Sequence, residues 1–282
     1  MESTKLDEVG GVMVTEGTRR TGSQAVERAL QLLRCFEAGP QTRSLSELAQ
    51  LTGLTPATAH RLLRALCRAE LLAHDPLTER YSLGIALIPL GSRAADAVGV
   101  PAIRPVLDSL ATVTGESVNL GVRDGSDVLV LLSVPSFQNL RFDQGAGARV
   151  PVHASAMGKV LLAFDADPDG AVQSIPKLTK LTQATITSRS VLSGVLGEVR
   201  DRGWAINDEE RETSVRSVAM PVRTADGKAV AAVSVQGPSS RMTDSQIRDL
   251  LPSLQTAAKA VSIRLSALRS WGPDRPTAAA TG

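Results

Sequence analysis

Three clusters of side chains in this 282-residue chain have the types and spacing to do chemistry. The first runs from Thr55 through Ala57, Thr58, His60, Arg61 and Arg64 to Arg68. On a helical wheel of about 100° per residue, Ala59, Leu62, Leu63, Leu66 and Ala69 share one face. Ala57, Arg61, Arg64 and Arg68 project from the opposite side, with His60 on the flank. Alone, such a row is an ordinary solvated face. A charged helix of general purpose, however, intersperses acids for pairing, and none stands in this row. The second cluster is His153-Ala154-Ser155-Ala156-Met157-Gly158-Lys159. Ser155 precedes a helical run, so it is either the N-cap of a tight turn or the start of an anion site made by first-turn amides and the helix dipole. The third is Asp208-Glu209-Glu210, which reads as a solvated surface rather than a metal or acid/base site, because adjacent residues do not converge on one ion.

Catalysis fits these clusters poorly. A hydrolase using Ser155 with His153 or Lys159 is the strongest enzymatic alternative. Yet S-A-M-G-K has the wrong spacing for S-x-x-K, no G-x-S-x-G elbow exists, and His153 is the only histidine beyond residue 112. A phosphate loop around Gly158-Lys159 would need glycine where Val152 stands and Ser or Thr where Val160 stands. Cys35 and Cys67 each fall among apolar residues of a helical pattern and read as small buried hydrophobes, neither disulfide partners nor metal ligands. No enzyme, cofactor or metal centre is expected.

The elements that must position these residues are legible from caps and periodicity. Val26, Ala29, Leu30, Leu33 and Phe36 mark a helix stopped by Gly39-Pro40. Ser44 and Glu47 form an S-x-x-E capping box for a second helix that ends at Gly53. Thr55 then caps a third, with Pro56 in its first turn. Two short helices joined by so tight a glycine-containing turn are the helix-turn-helix signature, and LLAHDPLTERYSL (71–83) supplies two strands of a wing around Asp75-Pro76. In that context the arginine row is a DNA-reading face, with Thr55, Ala57 and Thr58 near base edges and Arg61 and Arg64 on phosphate or guanine. Ser44 and, in the wing, Arg80 join His60 in the candidate contact set.

Residues 84–112 form a helical connector interrupted by Gly91, Gly99, Pro101 and Pro105. Its apolar Ile85, Leu87, Ile88, Leu90 and Val98 serve either a dimer contact or packing within one chain. Hairpins follow at 117–134 and 215–237, with helical segments at 155–164, 188–202 and 244–268. Strand pairs separated by helices indicate an α+β domain on an antiparallel sheet. The ends, 1–21 and 270–282, lack hydrophobic periodicity and read as flexible tails. The expected domains are therefore a reader at 22–83, a helical linker at 84–112 and a second domain at 113–269.

Composition agrees with this division. Hydrophobic residues are 43% and charged residues 21% of the chain, which excludes a largely disordered protein. The net charge is only +2, but residues 19–81 hold nine arginines, no lysine and six acids, whereas 113–268 hold 17 basic and 16 acidic residues. No apolar run reaches the roughly 18 residues of a membrane span, and the acidic amino terminus lacks a signal-peptide core, so a cytoplasmic protein is expected.

AVERALQLLRCF, SLSELAQLTGLTPATAHRLLRALCRAELL and RYSLG resemble the N-terminal domain of IclR-family regulators. VHASAMGKVLLA, TITSRSVLSGVLGEVRDRGWAINDEE and VAMPVR resemble their effector domain. The resemblance spans roughly residues 23–268. It implies a winged helix-turn-helix, a linker helix used in dimerisation, and a GAF-like sensor domain. It further implies that Ala156 and Met157 are pocket walls and that the pocket's polar side chains are Asn207, Ser217, Ser234 and Gln236, with Val215 bounding the apolar part of a ligand. Where the glyoxylate- and pyruvate-sensing type has an acid, a cysteine and a serine, this chain has Asn207, Ser217 and Gln236. Replacing an acid with an amide removes a negative charge and adds a donor, which favours an anionic ligand. The expected partners are a double-stranded operator, a small carboxylate effector and further copies of the chain in a homodimer or homotetramer. The remaining alternative is a helix-turn-helix used for protein contacts only, with the C-terminal domain as an assembly module.

Overall fold

The computed structural model describes residues 21–37 and 39–266, which divide into two compact units after Leu90. Thr21 opens the first helix, and the rest of both expected tails lies outside the described residues. The first unit contains α1 (Thr21–Arg34), β1 (Arg43–Ser44), α2 (Leu45–Thr52), α3 (Pro56–Arg68), β2 (Leu72–Asp75) and β3 (Arg80–Leu83). Leu32 of α1, Leu48 of α2, Leu62, Leu63 and Leu66 of α3, and Leu72 and Tyr81 of the wing meet in one core. Cys35 and Cys67 lie half-buried at its margin as free thiols, and burial pushes both pKa values up. The wing gains a strand not expected from the sequence. β1 is only two residues long and pairs with β3 through Arg43 with Tyr81 and Ser44 with Arg80, too short for any alternation to announce it.

The connector expected over 84–112 separates into two helices. α4 (Leu87–Ala97) buries no residue, and Ile85, Ile88 and Leu90 stay exposed. α5 (Val100–Thr114) buries Ile103, Leu107, Leu110 and Ala111 in the second unit. Gly99 and two prolines made this stretch look broken throughout, but Pro101 lies in the first turn of α5, where a missing N–H is tolerated.

The second unit continues with β4 (Ser117–Asp124), β5 (Asp127–Val134), β6 (Arg149–Pro151), α6 (Ala156–Ala163), α7 (Pro168–Gln173), α8 (Arg189–Arg202), β7 (Ala205–Asp208), β8 (Val215–Arg223), β9 (Ala229–Pro238) and α9 (Asp244–Ser266). The six strands form one antiparallel sheet in the order β6-β5-β4-β9-β8-β7. The fold class is thus α+β, a winged helix-turn-helix followed by an antiparallel-sheet domain. One sheet face carries Val118, Leu120, Val122, Val218, Val222, Val233 and Val235 against α5 and α9. The other carries the small residues Ala205, Ala219 and Ala232 under α6, α7 and α8. Small side chains are needed there because every residue of α6 is itself buried.

α6 is seated by two local features. Ser155 caps it by accepting from the Gly158 N–H at 3.0 Å. Gly158 itself lies so close to the preceding turn that a Cβ would fall 2.1 Å from the Val152 carbonyl oxygen. Gly158→Ala should therefore lower stability by about 2 kcal/mol, as overpacking against backbone does. Gly194→Ala, in the middle of α8 with open space around it, should instead raise stability by about 0.5–1 kcal/mol. Denaturant unfolding of the two variants checks this, and equal effects would contradict it.

Candidate functional site

Each unit presents one candidate site. In the first, the turn between α2 and α3 is set by Gly53, whose φ of 65° suits glycine, and by Thr55, whose hydroxyl accepts from the Thr58 N–H at 3.3 Å. Ala59, Leu62, Leu63 and Leu66 face the core as expected. Ala69 is instead the exposed C-cap residue. Thr55, Ala57, His60, Arg61, Arg64 and Arg68 are exposed, and Thr58 is half-buried with its hydroxyl accepting from Thr55 at 2.9 Å. Arg61, Arg64 and Arg68 make no hydrogen bond or ion pair with another described residue, so their full donor capacity faces outward.

Two members of the expected contact set are engaged internally. Ser44 accepts from the Glu47 N–H at 3.2 Å while its own N–H donates to Glu47 Oε2 at 2.6 Å. Arg80 donates to Thr42 Oγ1 at 2.9 Å and to Glu47 Oε2 at 3.0 Å. The Ser44 N–H, with Arg80 beside it, holds the Glu47 carboxyl below its ordinary pKa. These bonds join the start of α2 to the wing. Ser44, His60 and Arg64 do share the wall of a groove of about 710 Å³ between α3 and the wing, with Arg68, His74 and Tyr81. At the wing tip Leu77 is exposed, and Asp75 closes the turn by accepting from the Thr78 hydroxyl and the Leu77 N–H, which hold its carboxyl low.

In the second unit the sheet register collects the expected pocket residues. Asn207, Ser217, Gln236 and Ser117 are successive partners across β7, β8, β9 and β4. The adjacent row is Ala219, Ser234, Asn119 and Ser133, continuing onto β5. Directly paired residues point to one face, so these rows share the face of Ala205 and Ala232, under α6. Asn207, Ser217, Ser234, Gln236, Ser117 and Asn119 are all buried there, as is Val215. Ala156 and Met157 are buried in the same layer, the Met157 thioether lying over Gly121.

The first row is covered by the loop over residues 135–148. Ser117 donates to Asp143 at 3.0 Å and accepts from the Ser136 N–H at 3.1 Å. Gln236 meets the Gln144 side chain, and Gln144, with its oxygen turned toward Arg211, accepts from that guanidinium at 2.7 Å. Asn207 accepts from the Glu210 N–H at 2.9 Å and so fixes the turn after β7. Ser217, Ser234 and Asn119 side chains, by contrast, make no hydrogen bond to another described residue.

The three consecutive acids part company, correcting the expectation of a solvated surface. Asp208 pairs with Arg216 at 2.8 Å and Glu209 accepts from the Ser214 N–H at 2.9 Å, but Glu210 is buried against Lys159 of α6. Burial pushes the Lys159 ammonium pKa down, and the Glu210 carboxylate pulls it back up. The polar rows are therefore not free of neighbouring carboxylates, since Asp143 accepts from Ser117 and Glu210 lies in the turn that Asn207 fixes. Each is matched by a cation, Asp143 by Arg141 at 2.8 Å. Arg211 is mostly buried too, and desolvation lowers its pKa. Each side chain of the hydrolase alternative, Ser155 with His153 or Lys159, has another partner. Ser155 caps α6, His153 Nε2 lies 3.1 Å from the Thr179 carbonyl, and Lys159 is paired with Glu210. Asn119, Ser133, Asp143, Gln144 and Arg211 were not singled out from sequence. The alternating polar positions of SVNLGVR, Ser117, Asn119 and Arg123, were the available signal, but such alternation equally marks a solvated face.

Comparison with known proteins agrees with both halves. Residues 25–76 match the family model described as the IclR helix-turn-helix domain, and residues 99–263 match that described as bacterial transcriptional regulator IclR C-terminal. The chain is 35% identical over 249 residues to the glycerol operon regulatory protein of Streptomyces griseus, covering 87% of this chain and 98% of that protein. It is 31% identical over 260 residues to the DNA-binding transcriptional repressor YiaJ of Escherichia coli K12, covering 90% and 92%. Among solved structures it is similar to a regulator from Alicyclobacillus acidocaldarius, with a TM-score of 0.78 and 29% identity over 86% of this chain and 98% of that one.

The Lys159–Glu210 pair makes a quantitative expectation. Lys159→Met leaves a buried carboxylate without its counter-charge and should cost about 3–5 kcal/mol of stability, while Lys159→Met with Glu210→Leu should recover most of that loss. Denaturant midpoints of the single and double variants measure it, and a single variant as stable as the wild type would contradict the assignment.

Proposed function

The chain belongs to the IclR family of transcriptional regulators, and from that premise we propose that it is a sequence-specific repressor whose operator affinity is set by a small organic acid bound on the α6 face of its sheet. The observation that carries the DNA-reading half is the row of Arg61, Arg64 and Arg68, exposed and without internal partners on a helix held by a capped turn. Longer basic side chains beyond the first turn suit phosphates, and Thr55, Ala57 and Thr58 at its start suit base edges. Repression is supported by the relative named as a repressor. A homodimer or homotetramer is supported by the exposed Ile85, Ile88 and Leu90, and by the fact that one helix-turn-helix reads only a half-site.

The effector half of the reading rests on the buried polar rows. Hydroxyls and amides at Ser217, Ser234, Asn119 and Gln236 offer directional contacts, and every carboxylate that approaches them is matched by a cation. Such a ligand alters DNA affinity only by favouring one arrangement of the assembly over another. No helix among the described residues is long and apolar enough to cross a membrane.

Selection of random duplexes by the purified protein, followed by sequencing, tests the reading directly. A recovered motif with two related half-sites is expected, and recovery of no preferred sequence would contradict it. On the selected duplex, Arg61→Ala should weaken specific and unrelated DNA alike and flatten the salt dependence by about one unit, the mark of one lost phosphate contact. Thr58→Ala should instead change the preferred sequence. Unchanged affinity and salt slope in folded Arg61→Ala would overturn this assignment of the helix face.

A further inference from the structure

The two polar rows of the α6 face differ in one respect that selects among ligands. In the first row Ser117, Gln236 and Asn207 already have partners in the 135–148 loop or in the turn after β7, and the Ser217 hydroxyl has none among the described residues. In the second row Asn119 is 0% exposed, and neither its amide oxygen nor its amide nitrogen has a partner. It stands beside Ser234 on one strand and Ser133 on the other, neither of whose hydroxyls bonds another described residue. Buried polar groups are almost always satisfied, so an amide orphaned at both ends is the group on this face with most to gain from a ligand.

Building on the effector reading above, we infer that Asn119 is the specificity-determining contact and that the ligand is a hydroxylated carboxylic acid. The chemistry follows from donors and acceptors. The amide nitrogen donates and the amide oxygen accepts, so a ligand that satisfies Asn119 must bring both an acceptor and a donor to it. A hydroxyl does both. A carboxylate or ketone oxygen only accepts, so it satisfies the nitrogen and leaves the oxygen buried without a donor. A methylene satisfies neither. Ser133 and Ser234, flanking Asn119 across the pairs of β5 and β9, extend the same hydroxyl-matching surface. The contact should favour a hydroxy acid over its oxo or deoxy counterpart by about tenfold to a hundredfold.

Calorimetric titration of the full-length protein with matched acids tests this, using glycerate, lactate, pyruvate and propionate, and gluconate against hexanoate. The hydroxylated member of each set that binds should be the tighter by the stated factor, and Asn119→Leu should erase the difference. The melting temperature of ligand-free Asn119→Leu should equal or exceed that of the wild type, because an apolar isostere removes two unsatisfied groups. A purely structural asparagine would give a lower one. If oxo and deoxy acids bind as tightly as hydroxy acids, or if Asn119→Leu keeps the preference, the inference is overturned and the effector reading stands. If no acid in the panel binds, the effector reading itself falls, and this inference with it.

Discussion

The constraint on which the second unit depends is that its sheet must be buried on both faces while one of those faces carries polar side chains. The face toward α5 and α9 meets the constraint with branched apolar residues alone, and nothing specific is asked of it beyond shape. The face toward α6 cannot do so. Ser117, Asn119, Asn207, Ser217, Ser234 and Gln236 are all buried there, and each brings a desolvation cost that only a hydrogen bond offsets. Much of the surrounding structure supplies those bonds. The 135–148 loop brings Asp143 and Gln144, the turn after β7 brings amides to Asn207, and Glu210 enters to match Lys159. That supply stops at the Asn119 amide and at the hydroxyls of Ser133, Ser217 and Ser234, which have no partner among the described residues.

The first unit follows the opposite rule. Its α3 helix keeps Arg61, Arg64 and Arg68 in solvent without a carboxylate partner among the described residues. The acids of this unit are placed where they organise the scaffold. Glu47 satisfies the start of α2 and holds Arg80, and Asp75 closes the wing.

Legibility in the sequence followed the range of the interactions. Caps and turns are local, so Ser44 with Glu47, Gly53 and Thr55 with Pro56 announced α2 and α3, and three- and four-residue spacing placed the arginine row. The strands of both hairpins were equally plain from their turns. What could not be read was which side of a strand is covered. Asn119 has the alternation of a solvated residue and becomes buried only because β4 lies at the centre of the sheet, between β5 and β9. Glu210 looked like one of three surface acids because its partner Lys159 is 51 residues away on another element. Arg80 donates to Thr42 and Glu47, which are distant in sequence and meet it where β1, a strand too short to predict, pairs with β3. α5 was assigned to a connector because its prolines read as breaks, although its apolar residues belong to the sheet core.

The central claim, that the polar face of one unit governs the reading helix of the other, is tested most directly by reciprocity. The dissociation constant of the tightest-binding hydroxy acid should be measured calorimetrically on free protein and on protein saturated with its selected operator. The account predicts that the two values differ by a factor of about 5–150, equal to the factor by which that acid changes operator affinity. Identical values, with the acid bound in both cases, would contradict it.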